Sequence, residues 1–128
     1  GRLTPADPWP MWSLYGVADG LIEAQILMRA EFLRPPEARM ASFLDKQRDR
    51  IARCFDHIEA HGDELCTGAE GGLPNLAEIT VGIAAGYQDW RDWLDDFRPG
   101  RPKLTGWYEA FAKRPSMRAT EPAETPEA

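Results

Sequence analysis

Little in this 128-residue chain answers to a membrane, a secretory route or a disulfide framework. No apolar run approaches the roughly 20 residues that a membrane-spanning helix requires. The weakly polar stretch from Ile79 to Tyr87 is short and reads as a buried helix. The N-terminus, Gly1-Arg2-Leu3-Thr4-Pro5, lacks the basic region and apolar run of a signal peptide. It also lacks an initiator Met, so a cut point in a longer protein is expected. There are only two cysteines, Cys54 and Cys66. With 43% hydrophobic residues a core forms without a disulfide staple, so both thiols are expected free in a reducing cytoplasm.

Other absences narrow the function. Lysine and arginine total 15 against 21 acids, a net charge of −6. No basic stripe is interleaved with aromatics, which argues against nucleic acid or an anionic membrane as partner. The acidic excess supports solubility. No segment alternates with period two and no hairpin turn signal is present, so strands are not expected. No internal repeat is visible. The run Gly68-Ala69-Glu70-Gly71-Gly72 lacks the lysine and the strand context of a phosphate-binding loop and reads as an ordinary loop.

What is present is helical periodicity. Thr4 to Pro10 holds three prolines and is expected to be extended. From about Trp12 to about Leu33, Leu14, Val17, Ala18, Leu21, Ile22, Gln25, Met28 and Phe32 recur at three- and four-residue steps. Arg34-Pro35-Pro36 ends that helix. A second helix is expected from about Pro36 to His61, with Pro36 in its first turn. Met40, Phe43, Leu44, Gln47, Ile51, Cys54, Phe55 and Ile58 form its apolar stripe, and charged residues cover most of the opposite side. Gly62 stands where a C-terminal cap belongs. The glycine-rich stretch from Thr67 to Pro74 reads as a loop.

A third helix opens at Asn75-Leu76-Ala77-Glu78, a capping box. The Asn side chain accepts from an orphan backbone N–H, and the Glu three residues on reaches back to the cap's own N–H. From Leu76 to Tyr87 only Glu78 and Thr80 are clearly polar, which places this helix at the domain centre. Arg98-Pro99-Gly100-Arg101-Pro102 breaks the chain. Leu104, Trp107, Tyr108 and Phe111 then mark a fourth helix, stopped by Arg114-Pro115. The tail from Thr120 to Ala128 has no large apolar residue and is expected to be disordered. The fold class is all-α, a helical bundle over residues 12–119, with residues 1–11 as a linker and residues 120–128 as a tail.

Among possible sites, Cys54-x2-His57-x3-His61, with Cys66 beyond, offers zinc-compatible side chains on one helix face. Cys54 belongs to the core stripe, however, and the tight paired spacing of structural zinc sites is missing. No metal and no cofactor are expected. Trp9, Met11, Trp12, Leu14 and Tyr15 gather at the start of the first helix, as an apolar substrate wall, as a contact with a domain missing from this sequence, or as core. Trp90, Trp93 and Trp107 read as packing residues.

The order of these signals resembles the C-terminal helical domain of bacterial cytosolic-type glutathione S-transferases. Ala18-Asp19-Gly20-Leu21-Ile22-Glu23-Ala24 is similar to the family's Ala-Asp-Gly-Ile-x-Asp-Ala stretch, and Arg34-Pro35 follows at the usual distance. Gln47-Arg48 matches the family's Gln-Arg pair. Asn75 and Glu78 stand where the family has Ser or Thr with Asp. Gly86-Tyr87-x-Asp89-Trp90-Arg91 is like Gly-Tyr-x-x-Phe-Arg, and the stretch from Pro102 to Pro122 is close to the usual ending. The likeness runs from about Leu3 to Pro122.

That resemblance implies a C-terminal domain that binds hydrophobic substrate and forms a homodimer. The parent would conjugate glutathione, its co-substrate, to small hydrophobic electrophiles, or reduce disulfides. The thioredoxin-like N-terminal domain, with the residue that activates the thiol, is not in this sequence, so no catalytic residue is expected here. Trp12, Tyr15 and Asp19 would line the substrate wall, and Glu23 would reach the partner subunit's glutathione. Helical domains of this type also serve as non-catalytic assembly modules, which is the rival expectation.

Overall fold

The computed structural model describes residues 4–65 and 73–123. The glycine-rich run with Cys66 and the last five residues of the tail lie outside them. Five α-helices are described: α1 (Trp9–Phe32), α2 (Ala41–Ala60), α3 (Leu76–Trp90), α4 (Pro102–Ala112) and α5 (Pro115–Ala119). Short 3₁₀ turns occupy Pro36–Ala38 and Gly62–Glu64. No strand occurs among the described residues. None of their helices is long and apolar enough to cross a membrane.

The structure departs from expectation at helix ends. α1 begins at Trp9, not near Trp12, because Pro8 holds a helical φ of −85° and Pro10 falls in the first turn, where no N–H is required. The Trp9 N–H donates to Asp7 Oδ1 at 3.4 Å. Met11 is therefore buried core, inside what reads as linker. α2 begins at Ala41, not Pro36. Pro36 opens a 3₁₀ turn, and the chain is extended at Arg39 and Met40 before α2 starts. Glu31 makes that break possible, since its Oε1 accepts the Met40 N–H at 2.8 Å and Arg34 at 3.1 Å. Met40, assigned to the stripe, is exposed. Pro115 ends α4 and opens the additional short α5.

Gly62 does not adopt the left-handed cap expected of it; the only described residue with positive φ is Gly100, at +74°, in the turn before α4. Gly62 is instead a close-approach site. A Cβ there would stand 2.6 Å from Lys103 Cβ. Gly82 plays the same part for the Phe111 ring, which occupies the space of its missing side chain and fixes how near α4 lies to α3.

α1 and α2 run antiparallel, since Glu31 meets Met40 at one end and Glu23 meets Arg50 farther along. α3 packs along α1 through Ala84, Gln88 and Gln25. Leu21, Met28, Phe55, Ile58, Val81, Phe97 and Leu104 are all within about a percent of full burial. Each contributes roughly 1.5–3 kcal/mol by leaving water. Phe55 stacks on Phe97 at 5.3 Å, and Phe97 meets Tyr108 edge-on at 5.4 Å.

α4 is seated by α2 from 44 residues away. Glu59 accepts the backbone N–H of Lys103 at 3.0 Å and of Leu104 at 2.8 Å, so a carboxylate from another helix caps this one. Arg101 reaches Asp56 at 2.9 Å, the Phe97 carbonyl at 3.0 Å and the Ala52 carbonyl at 3.3 Å.

The capping box of α3 is formed as expected. Asn75 Oδ1 accepts the Glu78 N–H at 2.9 Å, and Glu78 Oε1 accepts the Asn75 N–H at 3.3 Å. Loss of an N-cap typically costs about 0.5–2 kcal/mol. Asn75→Ala is expected near the upper end, because Glu78 and its neighbourhood are buried and the freed N–H cannot turn to water. An unchanged denaturation midpoint would show that the cap does not hold this helix.

Candidate functional site

The residues singled out near the start of the chain fall on the outer side of α1. Trp12, Gly16, Asp19, Glu23 and Ile26 recur at three- and four-residue steps, opposite the buried row of Met11, Leu14, Ala18, Leu21 and Gln25. Trp12 is 41% exposed and meets Tyr15 edge-to-face at 5.6 Å. Tyr15 is half-buried and packs against the core, while Asp19 is exposed. This face is thus apolar at its N-terminal end and acidic midway.

Glu23 is not alone on that face. Its Oε2 accepts from Arg50 of α2 at 3.2 Å. Arg29, the nearer basic residue in sequence, is not the partner. Both side chains of the pair are substantially exposed, 64% for Glu23 and 34% for Arg50. An exposed pair of this kind is worth about 0–1 kcal/mol, so the carboxylate can change partner at small cost.

Asn75 and Glu78 lie elsewhere, at the start of α3. Burial raises the Glu78 carboxyl above the ordinary glutamate range, against lowering contributions from the Asn75 N–H, the Trp107 indole and the Arg114 charge. The carboxyl accepts the Asn75 N–H at the helix end. Burial likewise raises the Cys54 thiol, although the charges of Arg50 and Arg53 pull it down. Cys54 is half-buried, and a raised thiol carries less of the reactive thiolate. His57 and His61 stack at 4.2 Å, and Nδ1 of His61 lies 2.9 Å from the His57 carbonyl. Among the described residues no group of three or more His, Cys, Asp or Glu is placed to hold a metal. Cys66, the outermost member of the zinc-like pattern, falls outside them.

Several working polar groups escaped the sequence reading. By spacing, Gln25 falls within an apolar stripe. Gln25 in fact donates through Nε2 to the Ala84 carbonyl and to Gln88 Oε1, both at 2.9 Å, and Gln88 Nε2 donates onward to the Asp95 carbonyl at 2.9 Å. A glutamine amid a fully apolar row was the one available signal, since burial of a polar side chain requires a partner. Arg98 holds Asp89 through two bonds of 2.7 and 2.8 Å and touches Asp96 at 3.1 Å. Its backbone and side-chain N–H groups lower the Asp96 carboxyl below its usual range.

No protein-family model matches the chain. It is similar to the uncharacterised GST-like protein YibF of Escherichia coli (strain K12), 29% identical over 124 residues, covering 94% of this chain and 60% of that protein. Among solved structures it is similar to a glutathione transferase family member from Pseudomonas fluorescens Pf-5 bound to S-(propanoic acid)-glutathione. The identity is 37% and the TM-score 0.84, covering 95% of this chain and 63% of that one. A glutathione S-transferase of Methylobacillus flagellatus KT with GSH bound is 25% identical with a TM-score of 0.82, covering 96% and 62%. The chain thus spans about three-fifths of the length of each relative.

Glu78 generates a pH prediction. Its folded-state pKa lies above the unfolded value, so the native state holds the proton more tightly. The stability this gives is fully present below the ordinary glutamate range and is lost as pH rises through the raised value. The difference in denaturation midpoint between the natural protein and Glu78→Gln should change across that window in favour of Gln at the higher pH. A difference constant with pH would contradict the assignment.

Proposed function

We propose that this chain, an all-α domain of the glutathione transferase C-terminal type, is the substrate-binding and dimer-forming part of a glutathione transferase. The supporting observation is its likeness, over nearly its whole length, to a family member with glutathione bound. The thioredoxin-like domain and the residue that activates the thiol belong to the part of the protein outside this chain. In the full protein the glutathione thiolate forms a bond to an electrophilic carbon, whose leaving group departs with the bonding electron pair. Against a disulfide the same sulfur attacks and expels a thiolate. Conjugation to small hydrophobic electrophiles is the reading preferred here, because the aromatic end of α1 offers an apolar wall.

Trp12 and Tyr15 form that wall and Asp19 its rim. Glu23 is assigned to the partner subunit's glutathione, near the γ-glutamyl ammonium. Its weak hold on Arg50 leaves it available. A charge-assisted bond at a dimer cleft is worth about 1.5–3 kcal/mol.

Two outcomes are expected. The isolated chain should not conjugate glutathione to a chromogenic aryl halide, since in the family it resembles the donor that stabilises the thiolate belongs to the thioredoxin-like domain; turnover above a boiled control would refute this. In the full-length protein, Glu23→Gln should raise KM for glutathione several-fold and leave that for the electrophile nearly unchanged. Unaltered kinetics for both would return Glu23 to a surface ion pair with Arg50.

A further inference from the structure

The arginines of this chain differ in how fully the fold engages them. Arg98 gives Asp89 two bonds of 2.7 and 2.8 Å and Asp96 another of 3.1 Å. Arg101 divides its donors among Asp56 and the carbonyls of Phe97 and Ala52. Arg50 of α2 is different. A guanidinium carries a planar fork of N–H donors, yet Arg50 makes one hydrogen bond to a described residue, from Nη2 to Glu23 Oε2 at 3.2 Å. Its remaining donors have no acceptor among the described residues.

That single bond lies on the outer face of α1. Arg50 Nη2 sits over Gly20, where an added Cβ would stand 3.5 Å from it. Gly20 and Glu23 are three residues apart and share a helix face. With no side chain at Gly20, the guanidinium rests low on α1 beside the carboxylate, and both remain substantially exposed. Asp19, the neighbouring acid on this face, is exposed as well. Without Arg50, this part of α1 would present Asp19 and Glu23 together and repel any ligand carboxylate.

A carboxylate beside a guanidinium is an acceptor beside a donor fork. An α-amino acid terminus carries the complement, an ammonium and a carboxylate on one carbon. The Glu23–Arg50 pair is weak enough to open, and a zwitterion laid against it gives each side chain an opposite charge in exchange. The ammonium meets Glu23 and the carboxylate meets the free edge of Arg50, as charge-assisted hydrogen bonds in which the guanidinium fork matches the carboxylate plane. Glu23 alone would accept any amine. We infer that Arg50 is a specificity-determining residue that receives the α-carboxylate of the γ-glutamyl end of glutathione, while Glu23 receives its ammonium. The inference rests on the reading in which Glu23 meets the partner subunit's glutathione.

The test compares glutathione with its analogue in which hydrogen replaces the γ-glutamyl α-carboxylate, using the full-length protein. The natural protein should show a KM for glutathione about tenfold below that for the analogue. Arg50→Gln should raise KM for glutathione about tenfold and leave KM for the analogue unchanged, which abolishes the preference. Arg50→Lys should restore part of it, since an ammonium keeps the charge without the fork. Should Arg50→Gln fail to fold by circular dichroism, Arg50→Lys carries the same comparison, with the rise again confined to glutathione. Equal rises for both compounds would overturn the inference, because Arg50 would then act only by holding Glu23. An unchanged KM for glutathione overturns it too. In that case a raised KM in Glu23→Gln leaves the transferase reading of the site standing, and an unchanged one removes that reading along with the inference.

Discussion

The contact between α1 and α3 governs the rest of the domain. Ala18, Ala24, Ala77, Ala84 and Ala85 are all fully buried, and such small side chains let helices lie close together. Close approach leaves no water for the buried amides of Gln25 and Gln88, so they must satisfy one another. Gln25 grips both the backbone of α3 and the Gln88 side chain, and Gln88 in turn holds the Asp95 carbonyl in the following loop. One thread of hydrogen bonds thereby sets the register of two helices and the course of the chain beyond them. Sliding α3 by a turn would strand these groups in an apolar setting, at about 1–3 kcal/mol for each.

Helix ends are tied down by groups distant in sequence. Glu31 of α1 serves the start of α2, and Glu59 of α2 serves the start of α4. α3 is capped from within, by Asn75 and Glu78. Carboxylates at these N-termini also meet the positive end of the helix dipole. With Pro102 supplying no N–H at the head of α4, Glu59 answers the next two donors, and Arg101 anchors the preceding turn to α2. The packed helices thus present two surfaces of different character: an aromatic and acidic face on α1, and a largely apolar groove along α3 with Asp89 and Glu121 in its lining.

The substrate and glutathione contacts proposed for the domain lie on the α1 face, where charge is exposed and the Glu23–Arg50 pairing is weak. Away from these surfaces, burial raises the Cys54 thiol above its ordinary range, and Glu78 accepts the Asn75 N–H at the start of α3.

The sequence alone determined the helical class, the positions of the longer helices, the family likeness and the capping box at Asn75 and Glu78. The helices and the cap rest on neighbours within about one helical turn, or on a repeat of three to four residues, and the family likeness on the order and spacing of motifs from about Leu3 to Pro122; such patterns survive in one dimension. The tertiary structure decided what local pattern cannot carry. Gln25 sits in an apolar row by spacing, and only the approach of Ala84 and Gln88, 59 and 63 residues away, gives it a partner. Gly62 occupies the place of a cap, yet what requires a glycine there is the side chain of Lys103. Pro36 suits a first helical turn, but Glu31 captures the Met40 N–H and moves the start of α2. Glu23 has its cation on another helix. Ile83 belongs to a helix apolar all round, and its exposure follows from which neighbours fold against α3, a property of the assembled bundle that no window of sequence contains.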